Sequence, residues 1–126
     1  MKINNTQNQN FGKIYMFPLM QEKFYKDAKQ YTGLDERVIQ RDVENLIKKD
    51  SNSDECIIKQ GSWGDFYFEC KHGKIRKGYT QLANTFRGFI EALEQCSHIG
   101  YYRIFINKYK NEPYFGKPKY QKQISQ

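Results

Sequence analysis

The chain has 126 residues, enough for one domain around one modest core. Ten Tyr, nine Phe and one Trp exclude disorder of the whole chain, despite a mean hydropathy of −0.91. The formal charge of +7, from 21 basic and 14 acidic residues, points to an anionic partner, with nucleic acid the usual one. No apolar run approaches the roughly 18 residues of a membrane span. The opening MKINNTQNQN lacks the apolar segment of a signal peptide. Cys56, Cys70 and Cys96 form no CxxC pair and fit reduced thiols, so the expected location is the cytoplasm.

Residues 1–10 are polar and read as a flexible N-terminus, 11–110 as a single domain, and 111–126 as a basic, aromatic and partly disordered tail. Within the domain, GKIYMF at 12–17 predicts a short strand closed by Pro18, which has no ladder donor. Met20, Phe24, Ala28 and Tyr31 recur at helical spacing, so a helix is expected over 19–31, stopped by Gly33. Asp35 is a cap for a second helix, 36–49, with Val38, Ile39, Val43, Leu46 and Ile47 on its stripe. DSNSD at 50–54 is a turn cluster.

CIIKQ and DFYFECK flank GSWG and read as a hairpin. Phe66, Phe68 and Cys70 take one face of its second strand, and Asp65, Tyr67, Glu69 and Lys71 take the other. A further reversal at His72-Gly73 leads into KIRKGY. Thr80 is the expected cap of a third helix over 81–96, with Leu82, Phe86, Phe89, Ile90 and Leu93 inward. YYRIFI at 101–106 is apolar on both faces and reads as an interior strand. The expected fold is therefore α+β: a small, mainly antiparallel sheet against three helices, in the order β-α-α-β-β-β-α-β.

Metal-dependent phosphodiester hydrolysis needs converging carboxylates and benefits from a nearby ammonium. Glu69 and Lys71 share a strand face, so the second acid must come from the neighbouring strand. A register pairing residues whose numbers sum to 124 sets Glu55 opposite Glu69, Lys59 opposite Asp65 and Cys56 opposite Phe68. A sum of 125 instead sets Asp54 opposite Lys71. The first places apolar against apolar and is preferred. These pieces, with the helix and YYRIFI that follow, resemble the PD-(D/E)xK nuclease superfamily over residues 36–106. The resemblance implies Mg²⁺ held by Asp54 or Glu55 and Glu69, a catalytic Lys71, and Gln81 near the site. Ser53 stands where the family pattern has proline.

GLDERVIQRDVENL, with the hairpin after it, also resembles a winged helix-turn-helix over residues 27–71. That resemblance implies a non-enzymatic DNA binder with Arg37, Gln40 and Arg41 in the major groove and Trp63 at the wing tip. Lys74, Arg76 and Lys77 form a basic segment beside Tyr79. The tail from Asn107 adds five lysines against one glutamate, with Tyr109, Tyr114, Phe115 and Tyr120 between them. Such patterns bind phosphates and stack on bases. A compact α+β chain of this size with a charged sheet face also suits a small phage- or plasmid-type inhibitor or immunity protein that binds another protein. Cys56, Cys70 and His72 lack a fourth zinc ligand, so the cysteines read as small core residues. The leading expectation is a protein that acts on nucleic acid, as a nuclease or as a DNA-binding module.

Overall fold

The computed structural model describes residues 14–50, 56–71, 74–80 and 85–110. Its elements run β1 (Ile14–Tyr15), α1 (Gln21–Thr32), α2 (Glu36–Lys49), β2 (Cys56–Gln60), β3 (Phe66–Cys70), β4 (Arg76–Tyr79), α3 (Thr85–Glu94) and α4 (Gly100–Lys110). A 3₁₀ turn at Pro18–Met20 leads into α1. The class is α+β, as expected, and the first seven elements follow the expected order.

Local chemistry explains the helix ends. Gly33 adopts φ +81° after α1, and its N–H donates to Lys29 O at 2.7 Å. That left-handed conformation costs glycine little and other residues more. The Asp35 carboxylate accepts the Arg37 N–H at 2.7 Å and caps α2. Ile39, Val43 and Leu46 form the buried stripe of α2.

The sheet order is β1-β2-β3-β4, with β1 parallel to β2 and the other pairings antiparallel. Alternation divides its faces. Ile14, Cys56, Ile58, Gln60, Phe66 and Cys70 are buried on one side, while Tyr15, Lys59, Tyr67, Lys77 and Tyr79 are exposed on the other. The described helices lie on the first side: α3 packs on β3, α1 on α3, and α2 and α4 complete the layer.

Two expectations are corrected. The run 101–106 is not a strand but the middle of α4. Tyr102, Phe105, Ile106 and Tyr109 are buried at helical spacing, while Ile104 is 71% exposed. Six residues apolar on both faces do not carry a period; extension to Tyr109 supplies it. Thr80 belongs to the described sheet: its hydroxyl accepts the Phe66 N–H at 3.1 Å and its own N–H donates to Phe66 O at 2.8 Å, so it extends the β3–β4 pairing. Helix α3 is described over Thr85–Glu94, and the start expected at 81, with Gln81 and Leu82, lies outside the described residues.

Second, neither expected hairpin register holds. Cys56 pairs with Cys70, Ile57 with Glu69, Ile58 with Phe68, Lys59 with Tyr67 and Gln60 with Phe66, a sum of 126. The connection spans residues 61–65 and is closed by Gly61 N–H to Asp65 O at 2.8 Å. Gly64 has φ +96°, and a Cβ there would meet the Thr85 methyl at 2.6 Å. The glycines therefore let a five-residue loop turn against α3. The true register differs from the preferred one by two residues in the sum, so every side chain keeps its face.

Asp50 ties the end of α2 to α4. It is fully buried, and its two oxygens accept Tyr101 O–H at 2.7 Å and Tyr102 O–H at 2.9 Å. Burial, then the Asp50 charge, pushes the Tyr102 phenol up. Burial, then Glu44, does the same to Tyr25. Unfolding frees both phenols to ionise near the ordinary value of about 10. Their contribution to stability is present below that pH and is lost as pH rises toward the folded values, by roughly 1.4 kcal/mol per pH unit for each group. Urea midpoints should therefore fall steeply above about pH 10. A flat profile there would contradict the buried placement of these phenols.

Candidate nucleic-acid interface

The open sheet face is built by register. Tyr15 aligns with Lys59, Lys59 with Tyr67, and Tyr67 with Tyr79. One row thus crosses all four strands as Tyr-Lys-Tyr-Tyr, at about 4.8 Å per strand. A second row runs from Ile57 through Glu69 to Lys77. The Tyr67 and Tyr79 rings lie 6.2 Å apart, tilted by 54°. Lys59 Nζ lies 5.6 Å from the centre of the Tyr15 ring. Tyr67 is 51% and Tyr79 74% exposed, so both rings meet solvent. Ile57, Lys59, Tyr67, Glu69, Lys77 and Tyr79 line a shallow depression across the strands.

The sequence-predicted residues divide between surfaces. Glu69 and Lys77 lie on this face and pair at 3.7 Å. Lys71 is exposed just past β3, and Lys74 is exposed before β4. Trp63, 77% exposed, sits in the hairpin connection beyond the Lys59–Tyr67 pair. Arg76 turns away from this face, and its guanidinium donates to Gln95 O at 2.7 Å.

Arg37, Gln40 and Arg41 project from α2, which packs on α1 and α4 rather than at the open sheet face. Arg37 lies 3.8 Å from the Asp35 carboxylate, and Gln40 donates to Glu44 at 3.0 Å. The hairpin that the helix-turn-helix resemblance makes a wing supplies the two central strands of the sheet.

Asp54, Glu55 and His72 lie outside the described residues. Among the described residues, Ile57 and Lys77 flank Glu69 across the strands, so Ile57 takes the place expected for Glu55. Asp65, in the hairpin connection just before β3, is four residues from Glu69, or roughly 13 Å of extended chain. That separation is too long for one cation to bind both. The face can bring aromatic rings and ammonium groups to a ligand, with one carboxylate already paired to a lysine.

Tyr15 and Lys59 are site residues that the sequence does not single out for binding. A two-residue strand carries too little alternation, and the alignment of Tyr15 with Lys59 depends on pairing across the chain. No protein-family profile, curated protein or solved structure matches this chain. What the fold and face define is a class: a two-layer α+β domain with one sheet face covered by helices and an aromatic, basic face left open. No helix among the described residues is long and apolar enough to cross a membrane.

Proposed function

We propose that the protein binds single-stranded nucleic acid on the open sheet face. The observation that carries this reading is the Tyr15-Lys59-Tyr67-Tyr79 row. Unpaired bases expose π-faces that stack on such rings, and their phosphates take the neighbouring ammonium groups. Four-stranded sheets with exposed aromatics are a recurring platform for this task. The overall charge of +7 favours the same partner. Duplex bases are already stacked on each other and cannot reach the tyrosines, so single strands are preferred.

Labelled single-stranded DNA and RNA oligonucleotides and a matching duplex, titrated by fluorescence anisotropy over a salt series, test the reading. Single strands should bind more tightly than the duplex. With Lys59, Lys71 and Lys77 on phosphates, log K should fall with log salt at a slope of about −2. Equal affinity for duplex and single strands, or no affinity for either at low salt, would refute it. The same samples in Mg²⁺ and in EDTA examine hydrolysis. Cleavage in Mg²⁺ that disappears in Glu69→Ala would favour the nuclease instead.

A further inference from the structure

All three cysteines of the chain meet at one point. Cys56, Cys70 and Cys96 are buried and unbridged, and their sulfurs lie within 4.8 Å of one another. They arrive from separate places in the sequence. Cys56 and Cys70 are cross-strand partners on the covered face, at the hairpin end away from its connection. Cys96 lies just beyond α3, fixed by its N–H to Leu93 O at 2.9 Å. Two residues further on, His98 brings Nδ1 to 4.0 Å from Cys70 Sγ.

We propose that Cys56, Cys70, Cys96 and His98 form a structural zinc site. Zinc takes thiolate sulfur at about 2.3 Å and imidazole nitrogen at about 2.0–2.1 Å, in a tetrahedron. Those lengths place neighbouring sulfurs about 3.8 Å apart, and sulfur and nitrogen about 3.6 Å apart. The three sulfurs thus need only small closing movements, and His98, which approaches the cluster at Cys70, would swing in to complete the tetrahedron. Buried cysteines also pack as small apolar fillers, but three sulfurs converging with an imidazole at their edge is the donor set a metal site requires. Thiolate-rich tetrahedral sets select zinc over harder cations. A complete set of four protein ligands marks a structural rather than a catalytic ion.

Charges of both signs act on the cluster. Three thiolates, a neutral imidazole and Zn²⁺ sum to one negative charge. Arg76, the strand partner of Cys70, holds its guanidinium on Gln95 O beside Cys96. Asp50 also acts on Cys56, with its own oxygens occupied by Tyr101 and Tyr102. Cysteine ligates zinc as thiolate, so loading releases thiol protons to solvent. The ion would fasten the α3–α4 connection to the end of the hairpin. This inference is independent of the nucleic-acid reading.

The test is elemental analysis of the full chain purified under reducing conditions, followed by titration of the stripped protein with Zn²⁺ and with Co²⁺. The expected result is one zinc per chain. Cobalt should give the intense visible bands and near-ultraviolet charge transfer of a tetrahedral thiolate site. Cys96→Ser should lose the metal. His98→Ala, at a half-buried position that leaves the thiols in place, should keep its far-ultraviolet circular dichroism and bind zinc at least about tenfold more weakly. An octahedral cobalt spectrum, unchanged zinc affinity in folded His98→Ala, or metal-free protein lighter by two hydrogens through a disulfide would each overturn the proposal.

Discussion

The double variant Tyr67→Ala/Tyr79→Ala is expected to bind a single-stranded oligonucleotide between about 30-fold and 10⁴-fold more weakly than the unaltered protein. Each base stacked on an aromatic ring contributes roughly 1–3 kcal/mol, and about 1.4 kcal/mol is tenfold in affinity. The two rings are neighbours, 6.2 Å apart, so the single variants need not sum to the double. Fold stability should change little. Both side chains are largely exposed, and a cross-strand pair of this kind is worth roughly 0.2–1 kcal/mol. Tyr→Phe at both positions keeps the π-faces and should retain most of the affinity. Anisotropy titrations beside thermal melts separate these outcomes. Undiminished binding in the folded alanine variant would move the interface off this sheet face.

Phe24→Ala should have the largest effect on the fold. Phe24 has no exposed surface. Its ring lies 5.1 Å from Tyr25, 5.5 Å from Phe89, 5.6 Å from Phe86 and 6.0 Å from Phe66, so it joins α1 to α3 and to the covered face of β3. Truncation removes the apolar transfer energy, leaves a cavity, and deletes edge-to-face contacts worth about 0.5–1.5 kcal/mol each. A loss of about 3–5 kcal/mol is expected, against a total near 5–15 kcal/mol for a domain of this size. Urea unfolding should show a lower midpoint with a similar slope. Phe24→Leu should cost less, because it refills much of the volume. A loss below about 1 kcal/mol for Phe24→Ala would mean that the ring cluster does not hold the two layers together.

Half of the open face is legible in the sequence. The alternation from Phe66 to Lys71 separates Tyr67 and Glu69 from Phe66 and Cys70 whatever the loop length, and it holds although the register differs from both expected ones. The loop is the obstacle. Gly61, Ser62, Trp63 and Gly64 permit several lengths, and each length changes which residue faces Glu69. In the five-residue loop Gly64 lies against Thr85 of α3, a contact outside the hairpin. Pairing Glu69 with a second acid depends on this local detail. The structure gives Glu69 a lysine on one side and an isoleucine on the other.

Residues 33–49 need no tertiary information, because a left-handed glycine, a capping aspartate and a stripe at helical spacing act within a few residues of one another. The face assignment of β3 is local for the same reason. The helical state of 100–110 is within reach of the sequence, through the spacing of Tyr102, Phe105, Ile106 and Tyr109, but a six-residue window hides it.

Only the tertiary structure decided the rest. The parallel pairing of β1 with β2 brings Tyr15 beside Lys59 across more than forty residues, and completes the aromatic row. The return of the chain after α3 brings Cys96 and His98 to Cys56 and Cys70. Backbone propensity and side-chain alternation are short-ranged, so they determine elements and faces. Which faces meet, and which side chains from distant segments share a point, is set by core packing and strand register.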